Sequence, residues 1–212
     1  PLIIFYASEV AAAVGKNPYV KPVDFFLQIW ERCFKQDFDK CKCLAKYETS
    51  KEKVERLAKE TKIDKDLKEK VSKSNTVEEN TEYIKAIEKK LAHKEMKQED
   101  RIELRNYVQK QFNTSFGIKH EQSAIDKIAG ATKPKETFTL LFDNYKIVGK
   151  IDASISKTDT GKKRIAEIKH RVKKFLDNEY DVIQCECYLR LTDTDECDWV
   201  EVLKESLGEK KK

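Results

Sequence analysis

The stretch KIVGKIDASISKTDTGKKRIAEIKHRV (residues 146–172) decides how the chain is read. It holds two apolar runs separated by the polar turn KTDTG, the pattern of adjacent β-strands. Asp152 interrupts the first run, and Glu167 and Lys169 interrupt the second. Charges are costly in strands built from Ile, Val and Ala, so three of them together ask for a chemical reason. Residues two apart on a strand share a face, so Glu167 and Lys169 point one way and Ile168 the other. Two carboxylates and a backbone carbonyl are hard oxygen donors suited to Mg²⁺ or Mn²⁺. A lysine beside them can orient or deprotonate a water, and together these are the parts of a phosphodiester hydrolase. The competing reading is an Asp–Glu–Lys ion-pair network with no chemistry.

Working outward, ETFTLLF precedes this stretch and makes a third strand with YKIVGKIDASIS and KRIAEIKHRV. GIKHEQSAIDKIAG before it reads as a helix with Ile118, Ala124, Ile125 and Ile128 inward and Gly130 as its stop. KKFLDNEYDVIQCECYLRLT after it reads as a helix with Val182, Cys185 and Leu189 on its buried stripe, followed by a last strand, CDWVEVL. Helix, three strands, helix and strand make an α/β fold with a small mixed sheet flanked by helices.

Near the start, ASEVAAAVG gives a short helix, Glu9 to Val14, capped by Ser8 and stopped by Gly15. A turn around Pro18 and Pro22 leads into a helix carrying Phe26, Ile29, Trp30 and Phe34. Residues 51–110 differ in character: 17 Lys or Arg and 14 Asp or Glu, with no Gly or Pro. Apolar residues there recur at helical spacing, giving about three solvated helices broken near VSKSNTVEEN. The expected organisation is therefore a core from 1–50 and 113–206, a charged helical insertion at 51–112, and a basic tail at 207–212.

The balance of 43 basic against 38 acidic residues, net +5, suits a polyanionic partner without requiring one. No run of about 18 apolar residues occurs, so no membrane partner is expected, and PLIIFY is too short for a secretory leader. Six cysteines in C-x-C pairs and singles lack the C-x2-C spacing of zinc ribbons and read as reduced thiols of an intracellular protein.

GKIDAS…RIAEIKH resembles the metal-binding core of the PD-(D/E)XK nuclease superfamily, with Ile151 at the nominal proline. GIKHEQSAI is similar to the G-x3-E helix that precedes that core, and DVIQCECYL to the helix that follows it. ASEVAAAVGKNPY resembles the N-terminal signature of the YqaJ-like viral recombinases, the branch that includes phage lambda exonuclease. The resemblance covers roughly residues 5–30 and 115–202.

It implies a restriction-endonuclease-like core and a metal-dependent deoxyribonuclease, a 5′ to 3′ exonuclease resecting linear duplex ends for recombination or repair. Asp152, Glu167 and the Ile168 carbonyl would bind Mg²⁺ (or Mn²⁺), and Glu121 a second ion or its water. Lys169 would activate the attacking water and Gln184 would hold it or a phosphate. Ser8, Tyr188, Arg171 and Lys173 would contact DNA. His120 is the alternative ligand beside Glu121. Implied partners are double-stranded DNA ends, a single-strand annealing protein and further copies of the chain. Two other readings stand beside it: a Cas4- or AddB-like iron–sulfur nuclease using the cysteines, and a catalytically silent DNA-binding protein of the same fold.

Overall fold

In a computed structural model the described residues are 2–156, 161–171, 176 and 178–203, together with the backbone of 209–211. The chain divides into two units, residues 1–47 with 121–212, and residues 48–120. The second unit is thus wider than the expected 51–112 segment.

The first unit is α/β, with two small mixed sheets rather than one. The first has the order β1 (Ile3–Tyr6), β4 (Tyr145–Gly149), β3 (Phe138–Leu141); β1 runs parallel to β4 and β3 antiparallel to it. The second has the order β2 (Ala131–Thr132), β5 (Ala153–Ile155), β6 (Arg164–Arg171), β7 (Glu196–Leu203), β8 (Glu209–Lys211). Only β6 and β7 are parallel there. PLIIFY supplies the edge strand β1, and the tail that composition assigned to no element pairs along β7.

The run expected to be one strand, 145–156, is two. β4 stops at Gly149, and the chain bends through Lys150–Asp152 before β5 starts in the other sheet. Gly149 marks the break for a packing reason. A Cβ there would lie 2.6 Å from Leu191 Cδ1, 2.9 Å from Tyr188 Cε1 and 3.2 Å from Ala7 Cβ, so only a bare backbone lets the helix above approach.

That helix is α8 (Glu179–Thr192). Alternation along β6 divides its neighbours into two layers. Ala166 and Ile168 join Ala153, Ile155, Val200, Ala124, Ile125 and Ile128 in one core. Ile165, on the other face, packs with Ala7, Ile151, Tyr188 and Leu191 of α8 and its surroundings. Ile118, expected inward, is 68% exposed. Helix α7 (Gln98–Ile125) runs unbroken through Gly117, so the helical phase is set from residue 98 onward and turns Ile118 out.

At the N-terminus, Ser8 does not cap a helix. A 3₁₀ turn, Ala7–Glu9, comes first and leads into α1 (Val10–Ala13); the Glu9 carboxylate accepts from the Tyr6 amide at 3.0 Å. Arg32 of α2 (Pro22–Cys33) clamps this turn, donating to both Glu9 oxygens at 2.7 and 2.5 Å and to the Ile4 carbonyl at 3.0 Å. Ile29 is buried on α2, whereas Phe26 is exposed. Helix α3 (Lys35–Ala45) completes this segment.

The unit 48–120 holds α4 (Ser50–Glu60), α5 (Asp64–Lys73), α6 (Val77–Ala92) and the first part of α7, four helical pieces where about three were expected. The extra break falls at Lys62, whose φ of 58° ends α4 and lets Ile63 bury. Thr49 with Glu52 and Thr76 with Glu79 form capping boxes at the starts of α4 and α6. Leu57, Ile63, Leu67, Ile87, Leu91, Leu104, Val108 and Phe112 make this unit's own core. Lys119 closes the end of α5 by donating to the carbonyls of Val71, Ser72 and Ser74 at 3.0, 2.6 and 2.7 Å.

Gly149→Ala is expected to destabilise the protein by about 1–3 kcal/mol, because the added carbon overpacks a site bounded by three side chains. Gly117→Ala, where a Cβ meets nothing within 4 Å, is expected to be neutral or slightly stabilising. Urea unfolding followed by circular dichroism separates the two; equal midpoints would refute the packing account.

Candidate active site

Strand β6 presents Glu167, Lys169 and Arg171 on the face toward α8, as period-two alternation requires. In the parallel pairing, Lys169 lies beside Glu201 of β7, which points to the same face. Helix α8 answers with Asp181, Gln184, Cys185, Tyr188 and Leu191, its buried stripe. This stripe differs from the expected one: Val182 is 44% exposed, and the polar Asp181 is buried in its place.

The antiparallel register pairs Ala153 with Ala166, which brings Asp152, one step beyond β5, level with Glu167. Asp152 therefore sits in a bend beside the sheet, not within a strand as expected. Its Oδ2 accepts from the Ile168 amide at 2.8 Å, which ties the bend to β6.

A continuous polar network follows. Lys169 Nζ donates to Glu167 Oε1 at 2.7 Å and to Gln184 Oε1 at 3.0 Å. Gln184 Nε2 donates to Glu167 Oε1 at 2.8 Å and to the Tyr188 hydroxyl at 3.0 Å. Asp181 Oδ1 lies 3.7 Å from Lys169, and Asp181 Oδ2 accepts from Arg171 at 2.5 Å. Arg171 Nε also donates to Glu201 Oε1 at 2.7 Å, which accepts from the Leu176 amide at 3.1 Å as well. Glu167, Asp181 and Glu201 are buried, and Asp152 is half-buried at the edge.

The charges in this cluster do not balance. With every group ionised, Asp152, Glu167, Asp181 and Glu201 face two cations, Lys169 and Arg171, which leaves two negative charges in a desolvated place. Burial accordingly pushes the Glu167 carboxyl up to about 8, with the nearby Asp152 adding to the rise against the pull of Lys169. Asp152 is raised too, first by burial and further by the Glu121 charge, although the Ile168 hydrogen bond opposes it. Glu167 Oε2 is buried without a hydrogen-bond partner. A half-satisfied pair of hard-oxygen acids carrying excess negative charge fits a divalent cation.

The other expected site residues are placed as follows. Glu121, near the end of α7, is ion-paired with Lys133 at 2.7 Å, and its charge reaches Asp152. Among the described residues, no three His, Cys, Asp or Glu side chains converge as a ready-made cation cage. Ile168 puts its side chain in the opposite core. His120 stacks on Phe116 at 4.0 Å and hydrogen-bonds the Asn75 carbonyl at 2.8 Å, within the helical unit. Tyr188, expected to meet DNA, is a core residue whose hydroxyl serves Gln184. Arg171, expected to meet phosphate, is committed to two buried carboxylates. Lys173 lies outside the described residues.

Ser8 is exposed on the wall of a cleft of about 370 Å³ that it shares with Tyr6, Thr137, Gly149, Lys150 and Tyr188. Tyr188, on the wall of this cleft, is the residue whose hydroxyl accepts from Gln184 of the site. All six cysteines are free; Cys185 lies on α8 and Cys197 on β7, while Cys41 and Cys43 are exposed on α3.

Asp181 and Glu201 complete the network and were not singled out from sequence. Asp181 had a legible signal, since Asp181, Gln184 and Tyr188 fall at i, i+3 and i+7 on one helical face. Glu201 had none, because an acid in CDWVEVL reads as the exposed phase of an edge strand.

No family model matches the chain, and no curated protein matches it. A solved structure described as "Crystal structure of SSO0001" is similar over 62% of this chain and 76% of its own, with 20% identity and a TM-score of 0.39. Among the described residues no helix is long and apolar enough to cross a membrane.

A pH dependence follows from Glu167. Its carboxyl is raised from 4.5 to about 8 on folding, so between those values the folded protein holds a proton that the unfolded chain has released. That contribution to stability is complete below the unfolded value and is lost as pH rises through the folded one. In chelator-treated protein, unfolding free energy is expected to decline from pH 5 to 8, and to decline less in Glu167→Gln. Urea titrations across that range check it; an identical slope in the variant would refute the assignment.

Proposed function

We propose that the protein is a metal-dependent deoxyribonuclease of the PD-(D/E)XK type, nearest in character to the YqaJ-like recombinases and lambda exonuclease, acting 5′ to 3′ on linear duplex ends. The observation that carries this reading is the meeting of Asp152 and Glu167 with Lys169 and Gln184, in which Glu167 Oε2 is buried and unmet. A network built for stability alone would be expected to leave no buried carboxylate oxygen unmet, and here one of Glu167 is. The restriction-endonuclease-like description of the core belongs to the same reading.

Asp152 and Glu167 would hold the cation with the Ile168 carbonyl, and Glu121, now paired with Lys133, would have to leave that pair to act through a second ion or its water. When bound, Mg²⁺ or Mn²⁺ lowers the pKa of its water and stabilises charge developing on the phosphate. Lys169 is held by Glu167 and Gln184, and from there it orients the attacking water and offers a positive charge to the phosphate. Gln184 has one amide group that both donates to Glu167 and accepts from Lys169, so it fixes the two relative to each other. The cleft that carries Ser8 and Lys150 shares Tyr188 with this set, and the 5′ polarity rests on the resemblance of the Ser8 motif.

The test is a linear 5′-phosphorylated duplex incubated with Mg²⁺ beside closed circular DNA. Linear duplex is expected to be degraded and the closed circle spared. Asp152→Ala and Glu167→Gln are each expected to lower the rate by about 100-fold or more. Cutting of closed circles would remove the exonuclease reading, and full activity in Asp152→Ala would remove the site.

A further inference from the structure

We infer that Asp181 is a positioning residue for Lys169, offering its ammonium a second carboxylate when Glu167 is drawn to a cation. The inference rests on the nuclease reading above. Asp181 is 0% exposed, and its two oxygens are used unequally. Oδ2 is saturated by Arg171 at 2.5 Å and by Asn178 Nδ2 at 3.3 Å. Oδ1 is buried, accepts no hydrogen bond and faces Lys169 Nζ across 3.7 Å. A buried carboxylate oxygen left unmet is costly unless something reaches it in another state of the site.

Lys169 is the group able to do so. Its ammonium sits between Glu167 Oε1, Gln184 Oε1 and Asp181 Oδ1 at 2.7, 3.0 and 3.7 Å. A shift of about 1 Å toward α8 closes the longest of these to a charge-assisted hydrogen bond. Glu167 would then be free to turn both oxygens to the cation, and the lysine would stay charged and in place rather than drift into the substrate path. Arg171 makes the seat rigid. It bonds Asp181 on α8 and Glu201 on β7, so the carboxylate that receives Lys169 is anchored to both neighbouring elements.

A purely structural Asp181 would affect stability alone; a positioning Asp181 also changes kcat and the state of Lys169. In the wild-type protein labelled at lysine Nζ and aspartate Cγ, NMR is expected to show both the Lys169 and Asp181 signals moving as Mg²⁺ saturates the site. An Asp181 signal indifferent to Mg²⁺ would overturn the inference and needs no variant. Asp181→Asn is expected to bind Mg²⁺ in calorimetry, to lower kcat on linear duplex by about 10- to 100-fold with KM little changed, and to lose the Mg²⁺-induced Lys169 shift. Wild-type kcat and a wild-type Lys169 shift in that variant would overturn it while leaving the nuclease reading intact. Full activity in Asp152→Ala would instead remove the reading beneath it.

Discussion

Four carboxyls and two cations gathered where β6 passes beneath α8 set the terms for the rest of the first unit. Two uncompensated negative charges in a desolvated site can be met by protons or by a divalent cation, and the raised Glu167 and Asp152 carboxyls are the protonic answer. The surrounding fold holds the imbalance in place. Two apolar layers on opposite faces of β6 prevent the strand from slipping by one residue, which would send Glu167, Lys169 and Arg171 into the Ile168 core.

The break after Gly149 follows from the same requirement. A continuous strand through Asp152 would place that acid in a sheet ladder with its direction fixed by the pleat. Ending β4 against α8 and restarting as β5 leaves Asp152 on a bend, pinned by the Ile168 amide yet partly open. The helix reaches the sheet closely there because Gly149 has no side chain, and the same approach brings Gln184 and Tyr188 over Glu167. One missing Cβ thus supports the split between sheets and the closure of the site.

The shared face of Glu167 and Lys169 was legible in the sequence because period two is a local rule, whereas Gln184 entered through the resemblance of DVIQCECYL, the helical period having pointed to Val182, Cys185 and Leu189 instead. The bend at Asp152 was not legible, since strand continuity depends on what packs above it, and Leu191, Tyr188 and Ala7 are distant along the chain. Asp181 was passed over because apolar Val182 was the more natural inward residue; the partly buried cations Lys169 and Arg171 reverse that preference. Ile118 failed differently. Its phase was counted from Gly117, but the helix begins at Gln98 and carries its own register.

The two acids that would share a cation differ in access, and the difference gives the site a direction. Glu167 is enclosed by Lys169, Gln184 and the α8 stripe, whereas Asp152 stands at the bend next to Lys150, which lines the cleft shared with Ser8. Solvent therefore reaches Asp152 more readily than Glu167. Lys169 bridges Glu167 and Asp181 and is itself more open than Glu167, with 22% of its side chain exposed against 4%. Arg171, farther along the same strand face, is engaged by Asp181 and Glu201 and is likewise partly open. Burial along this face is thus deepest at Glu167 and eases both toward Asp152 and toward Lys169 and Arg171, so the acid enclosed from both sides is the one whose ionisation burial opposes most.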